Sequence, residues 1–308
     1  AFNLAHMEKL NINIPKWLVL TTDCFEAFLG DRFAEYVGIL ESYGDNDRNK
    51  IIDLIESIEF SDDLKKEIRE EMNRLFGQDD LLAVRSSAVD EDSKAHSFAG
   101  MMESYLDVRA DDSVFDYIKK CYISCFSERV MKYRASNGLL DSSIRIAVII
   151  QKMIDADHAG VIFTSNPQTN NPDEVLISVV PGTGEKLVSG DSNSSDYLLD
   201  FEGKIVKRSE SDGVSLSDNM LKKLQDIALD VEKSYSPRLA QDIEFCIKDG
   251  VIYILQSRSI TNHSHIDKNA NRTILDNSNI IESYSGVTTP LTYSFAREVY
   301  AKVYNQTL

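Results

Sequence analysis

The chain has 308 residues, 43% apolar and 27% charged, and a formal net charge of −17. That size and balance describe one large or two ordinary globular domains able to bury a substantial core. The acidity argues against a general nucleic-acid surface, although a local basic cluster can still hold phosphates.

No apolar run approaches the ~20 residues that span a bilayer, and no secretory leader opens the chain. The four cysteines, Cys24, Cys121, Cys125 and Cys246, form no C-x-x-C pair and no disulfide framework. Reduced thiols in a cytoplasmic protein are expected.

In chain order, Ala1 to Glu8 begins on a helical pattern with neither an initiator Met nor a cap, which points to residues upstream. Leu4, Met7 and Leu10 form its apolar stripe. Trp17 to Thr21 reads as a strand, and Thr22 to Gly30 as a helix closed by glycine. From Asp31 to Gly77 the pattern is helical and acidic, with a helix starting at Ser61 and stopping near Phe76; a solvated face accounts for these charges.

Leu81 to Val84 is a short buried strand. It runs into a small-residue loop and a second strand, Glu103 to Val108, so the segment reads as a hairpin whose backbone N–H groups could lie over phosphates. Arg85 ends the first strand, placed either to enter a cleft or to make a surface ion pair.

Ser113 to Gly138 reads as the longest helix, with Val114, Tyr117, Ile118, Cys121, Tyr122 and Cys125 as its stripe. Ile144 to Ile150 has the composition of a central strand, continued by Gln151, Lys152, Met153 and Ile154. An adenine edge could bond the backbone and Gln151 there.

Strands follow at Ala159–Thr164 and Val175–Val180, separated by a turn cluster. The glycine loop Pro181 to Gly190 lacks both the P-loop spacing and the third glycine of G-x-G-x-x-G, since position 187 is Leu. Asp196 to Lys207 reads as a hairpin and Ser217 to Tyr235 as an amphipathic helix. Beyond Thr261 the chain turns polar. His263 and His265 lack supporting ligands, and a last helix spans Ser294 to Asn305.

The richest chemistry lies in two alternating runs, Gln241 to Phe245 and Ile252 to Arg258, joined by Lys248, Asp249 and Gly250 as a turn. With side chains alternating across a strand, Asp242 and Glu244 share one face. Gln256 and Arg258 share one likewise, opposite Leu255. Two acids and an amide oxygen suit a hard cation such as Mg2+, and the arginine suits a phosphate. The alternative is a solvated hairpin, and spacing alone leaves both open.

Five blocks in order carry a resemblance. Ala83 to Ala88 with Ser97 to Gly100 resembles the "VRSSA…SFAG" signature of the pyruvate phosphate dikinase / phosphoenolpyruvate synthase family. Ala159 to Pro167 is similar to its "GVxFTxNP" block, and Pro181 to Gly190 to its "GLGExxVxG" loop. Gln241 to Phe245 and Leu255 to Arg258 match "QDIEW…LQxRPIT". Together they cover about residues 1–262.

The resemblance implies an α+β ATP-grasp domain over 1–262, with lobes of about 1–140 and 141–262 clamping ATP between their sheets. Residues 263–308 would be a linker and the start of a following region. Glu244 and Gln256 would hold Mg2+; Arg85 and Arg258 would contact phosphates. Asp242 would support the metal and the ribose or phosphate end. Ser97, Phe98, Ala99 and Gly100 would cover the phosphates, and Gln151, Lys152 and Met153 would line the adenine.

It also implies a phosphotransferase domain that gives a phosphoryl group from ATP to a histidine on a swivelling domain, with an acceptor domain beyond. Neither is matched in this sequence. A rifampin phosphotransferase-like enzyme and a non-catalytic nucleotide-binding module are the alternatives. The family's Gly-Gly-Lys would fall just before Ala1. Thr183, Phe245 and Ser259 stand where the pattern has Leu, Trp and Pro.

Overall fold

The computed structural model describes residues 1–44, 47–88, 103–139, 144–183, 194–211 and 214–260. The chain divides into two units, Ala1–His265 and Ile266–Leu308. The second lies outside the described residues, as do His263, His265 and the helix expected at Ser294 to Asn305.

Two antiparallel sheets organise the first unit. The four-stranded sheet has the order β1-β4-β2-β3, built from β1 (Trp17–Leu20), β2 (Leu81–Ala88), β3 (Ser104–Arg109) and β4 (Ile146–Lys152). As its composition predicts, β4 is an interior strand, flanked by β1 and β2. Its alternation serves two cores. Ile146, Val148 and Ile150 enter a core shared with Phe25, Tyr36, Ile51, Ile68 and Ile118, whereas Ile149 turns to the second core. The expected lobe boundary near residue 140 therefore shifts: β4 belongs to the first sheet, which extends to Lys152.

The helices packed on this sheet are α2 (Thr22–Leu29), α3 (Phe33–Glu41), α4 (Asp47–Ser57), α5 (Asp62–Leu75) and α6 (Val114–Ser124). Ser61 caps α5 by accepting from Leu64 N. The single long helix expected from Ser113 to Gly138 is instead two, α6 and α7 (Glu128–Ser136). Ser127 caps the second by accepting from Val130 N, while Arg48 Nε donates to the Phe126 carbonyl at 2.8 Å. A local cap and a satisfied carbonyl thus break the run where the apolar stripe ends.

The six-stranded sheet has the order β10-β9-β5-β6-β7-β8. Its strands are β5 (His158–Phe163), β6 (Glu174–Pro181), β7 (Ser195–Asp200), β8 (Ile205–Ser209), β9 (Gln241–Lys248) and β10 (Val251–Ser259). One face packs on α8 (Asp218–Ser234), the longest described helix at 17 residues, and on α1 (Phe2–Glu8) through Leu4 and Met7. Ser217 caps α8 by accepting from Met220 N.

Close packing at the sheet centre requires glycine at position 160. A Cβ there would stand 2.2 Å from Ser178 O and 2.8 Å from Phe245 Cζ. None of the four cysteines forms a disulfide, and Cys121, Cys125 and Cys246 are buried. No helix among the described residues is long and apolar enough to cross a membrane.

Candidate functional site

The β9–β10 hairpin closes through Asp249 at φ 50° and Gly250 at φ 76°. Two consecutive left-handed residues make the tight turn whose twist suits a hairpin. Along β9 the residues alternate cleanly: Ile243 and Phe245 are fully buried in the second core, and Asp242 and Glu244 take the other face.

On β10 simple alternation would fail. Ile252 and Ile254 enter the core, so Gln256 would follow them inward. A bulge between Ile254 and Gln256 adds one residue and reverses the phase. Gln256 therefore pairs with Glu244 and Arg258 with Asp242. Leu255, expected opposite Gln256, sits instead in the bulge and packs by Ala156, Ala159 and Cys246. The four polar side chains do share one face, by a device that the sequence reading did not contain.

Arg85 arrives from the other sheet. In β2, Leu82 and Val84 face the first core, so Arg85 points away from it, toward the hairpin. Its Nη1 donates to Gln256 Oε1 at 3.2 Å and lies 3.5 Å from Glu244 Oε2. Gln151, 2% exposed, donates from Nε2 to Leu255 O at 3.5 Å. A cavity between the sheets is lined by Arg85, Ser87, Gln151, Gln256, Arg258 and Asn3, among others.

Lys152 and Met153 are not in that lining. Lys152 Nζ bonds Asp80 at 2.7 Å; Met153 N donates to Leu81 O and its sulfur accepts from Asp107 N. Lys152 N likewise donates within the protein, to Lys16 O at 2.8 Å. Ser97, Phe98, Ala99 and Gly100 lie outside the described residues, as does the glycine loop from residue 184 to 190.

Burial, and next the charge of Glu244, push the Asp242 carboxyl up to about 6, against the opposing pull of Arg258. Asp242 Oδ1 and Arg85 Nε are buried polar atoms that no side chain or backbone group satisfies. Glu244 Oε2 and Gln256 Oε1 already converge on one positive nitrogen. Oxygen donors gathered about a positive charge fit a hard divalent cation completed by phosphate and water. Among the described residues no three His, Cys, Asp or Glu side chains could hold a metal by themselves, so a cation here would depend on such outside oxygens.

Sequence reasoning missed Asn3, Ser87 and Ser104 in the cavity lining. Ser87 carried a usable signal, standing two residues from Arg85 on one strand face. Asn3 carried none, because only tertiary packing brings α1 beside β10.

Two facing α+β lobes, with acids, an amide and arginines at their junction, have the architecture of an ATP-grasp nucleotide-binding domain. Residues 1–212 and 200–279 match the family "Pyruvate phosphate dikinase, AMP/ATP-binding domain". The chain belongs to that family.

A probable phosphoenolpyruvate synthase of Methanocaldococcus jannaschii is 33% identical over 298 residues, covering 84% of this chain and 25% of that protein. One from Methanothermobacter thermautotrophicus is 34% identical, covering 84% of this chain and 43% of the relative. Rifampicin phosphotransferase of Bacillus cereus is 29% identical, covering 84% and 33%. The chain thus spans under half the length of these relatives. Among solved structures, D-alanine–D-alanine ligase from Bacillus anthracis is similar with a TM-score of 0.38 at 11% identity, over 84% of this chain and 55% of that one.

Proposed function

We propose that this chain binds Mg-ATP as the nucleotide domain of a phosphoenolpyruvate synthase-like phosphotransferase, which passes a phosphoryl group to a histidine on a separate domain. The observation that carries the reading is the convergence of Glu244 Oε2 and Gln256 Oε1 on Arg85 Nη1, at 3.5 and 3.2 Å, with Arg258 alongside in register with Asp242.

Phosphoryl transfer asks mainly for positioning and charge neutralisation. Glu244 and Gln256 would hold the cation, which supplies neutralisation at the phosphates. Arg85 and Arg258 would bind phosphate oxygens from opposite lobes and fix their geometry. Asp242 would support the cation or the ribose end. Gln151 and the backbone at Lys152 and Met153 would edge the adenine, and the segment from Ser97 to Gly100 would cover the phosphates.

Replacing Glu244 or Arg258 by alanine is expected to weaken Mg-ATP binding in calorimetry by about tenfold or more, and unchanged affinity in both variants overturns the site. Similarity to a rifampicin phosphotransferase favours a second acceptor. Turnover of the full-length protein with pyruvate against rifampicin separates the two. A non-catalytic module is disfavoured by the presence of Asp242, Glu244, Gln256 and Arg258 together.

A further inference from the structure

Behind the polar face of the hairpin, on the side turned to the core, one glutamine ties down both neighbours of Arg258. Gln241 is fully buried. Its Nε2 donates to Leu239 O at 2.9 Å and to Ser259 Oγ at 3.1 Å. Its Oε1 accepts from Ser257 Oγ at 2.8 Å. The amide orientation follows from chemistry: a carbonyl only accepts, so the NH2 group must face Leu239. Ser257 is therefore the donor to Oε1, and Ser259 the acceptor from Nε2.

The strand holding Gln241 is itself anchored. Gln241 N donates to Thr164 Oγ1 at 2.8 Å, and Thr164 N donates to Gln241 O at 3.0 Å. From the far side, Asn3 Nδ2 donates to Ser257 O at 2.8 Å. Both N–H groups and the carbonyl oxygen of the buried amide are thus engaged, with two of the three bonds made to the residues that flank Arg258. A satisfied buried network of this kind holds one arrangement, because any shift strands a polar group away from water.

We infer that Gln241, with Ser257 and Ser259, is a positioning clamp that fixes the backbone at Arg258 and so aims its guanidinium at the phosphate site. The clamp rests on the reading of Arg258 as a phosphate contact. Ser259 is the telling member. The related sequence pattern has proline there, which carries no hydroxyl, so this chain has a bond to the clamp that the pattern lacks.

The test is Mg-ATP affinity by calorimetry in a double-mutant cycle on the 308-residue chain. Ser259→Ala removes one partner from a buried amide, and should weaken binding by about threefold to tenfold. Ser259→Thr keeps the hydroxyl and should restore affinity to within about twofold. In an Arg258→Met background, Ser259→Ala should have no further effect, because the residue through which it acts is gone.

Equal losses in both backgrounds, or no rescue by threonine, overturn the clamp. Gln241→Leu, if it folds, should repeat the pattern with a larger loss; Ser259 keeps the question decidable if it does not. Should Arg258→Met alone leave affinity unchanged, the phosphate reading itself falls and the clamp falls with it. If Arg258→Met weakens ATP binding but Ser259→Ala does not, only the clamp is lost.

Discussion

At the scale of single residues, Asp242 is the side chain whose charge the fold resists. Its carboxyl rises from 3.8 to about 6, first through burial and then through Glu244. The folded chain therefore holds a proton that the unfolded chain releases between those values. Stability from this group is greatest below about pH 4 and declines as pH rises through 6, because above that the folded state must carry a buried charge. Asp242→Asn keeps the shape and removes the ionisation. In metal-free protein the variant should be more stable at pH 7.5 by on the order of 2 kcal/mol, and close to the parent at pH 4. Urea denaturation in the presence of a chelator at both pH values measures this, and an equal gain at both would mean that shape rather than charge is responsible.

Among elements, the β9–β10 hairpin divides what a sequence discloses from what it conceals. The acid pair on β9 was legible because polar and apolar residues alternate from Asp242 to Phe245. The turn was legible from Asp249 and Gly250. The bulge at Leu255 was not, since an extra residue leaves no compositional mark, yet without it Gln256 would face the core. The break between α6 and α7 was hidden for a related reason: Ser127 is one serine among many until its hydroxyl accepts from Val130 N. Two glycines in this region separate steric need from backbone need. Gly160→Ala drives a Cβ to 2.2 Å from a carbonyl oxygen, and should cost about 3 kcal/mol, with no relief from trimming Phe245 because the backbone atom remains. Gly250→Ala meets no atom within 4 Å but strains a positive φ, and should cost about 1 kcal/mol. Thermal unfolding of the two variants should rank them in that order.

For the folded unit as a whole, the site exists only because two sheets meet. Nothing in the spacing of β2 indicates that Arg85 reaches residues about 160 to 170 positions away in the sequence; the resemblance, not the local pattern, joined them. Arg85 now bonds Gln256 and pairs with Glu244 across the lobes, and these are the oxygens proposed for the cation. A cation entering alone must compete with the guanidinium for the same atoms. When phosphate enters as well, the guanidinium gains a partner of its own and the competition ends. The two ligands should therefore respond to Arg85→Met in opposite directions. With Mn2+ as the probe, and no nucleotide, binding counted by electron paramagnetic resonance should tighten by about threefold, the modest worth of a partly exposed ion pair. Mg-ATP affinity at saturating Mg2+ should fall by about tenfold or more, since a charged hydrogen bond to phosphate is lost. A fall in both would assign Arg85 to general support of the cleft. A rise in the first with a fall in the second would mark it as the group that exchanges an intramolecular carboxylate for the nucleotide, so that cation and ATP bind with positive coupling across the two lobes.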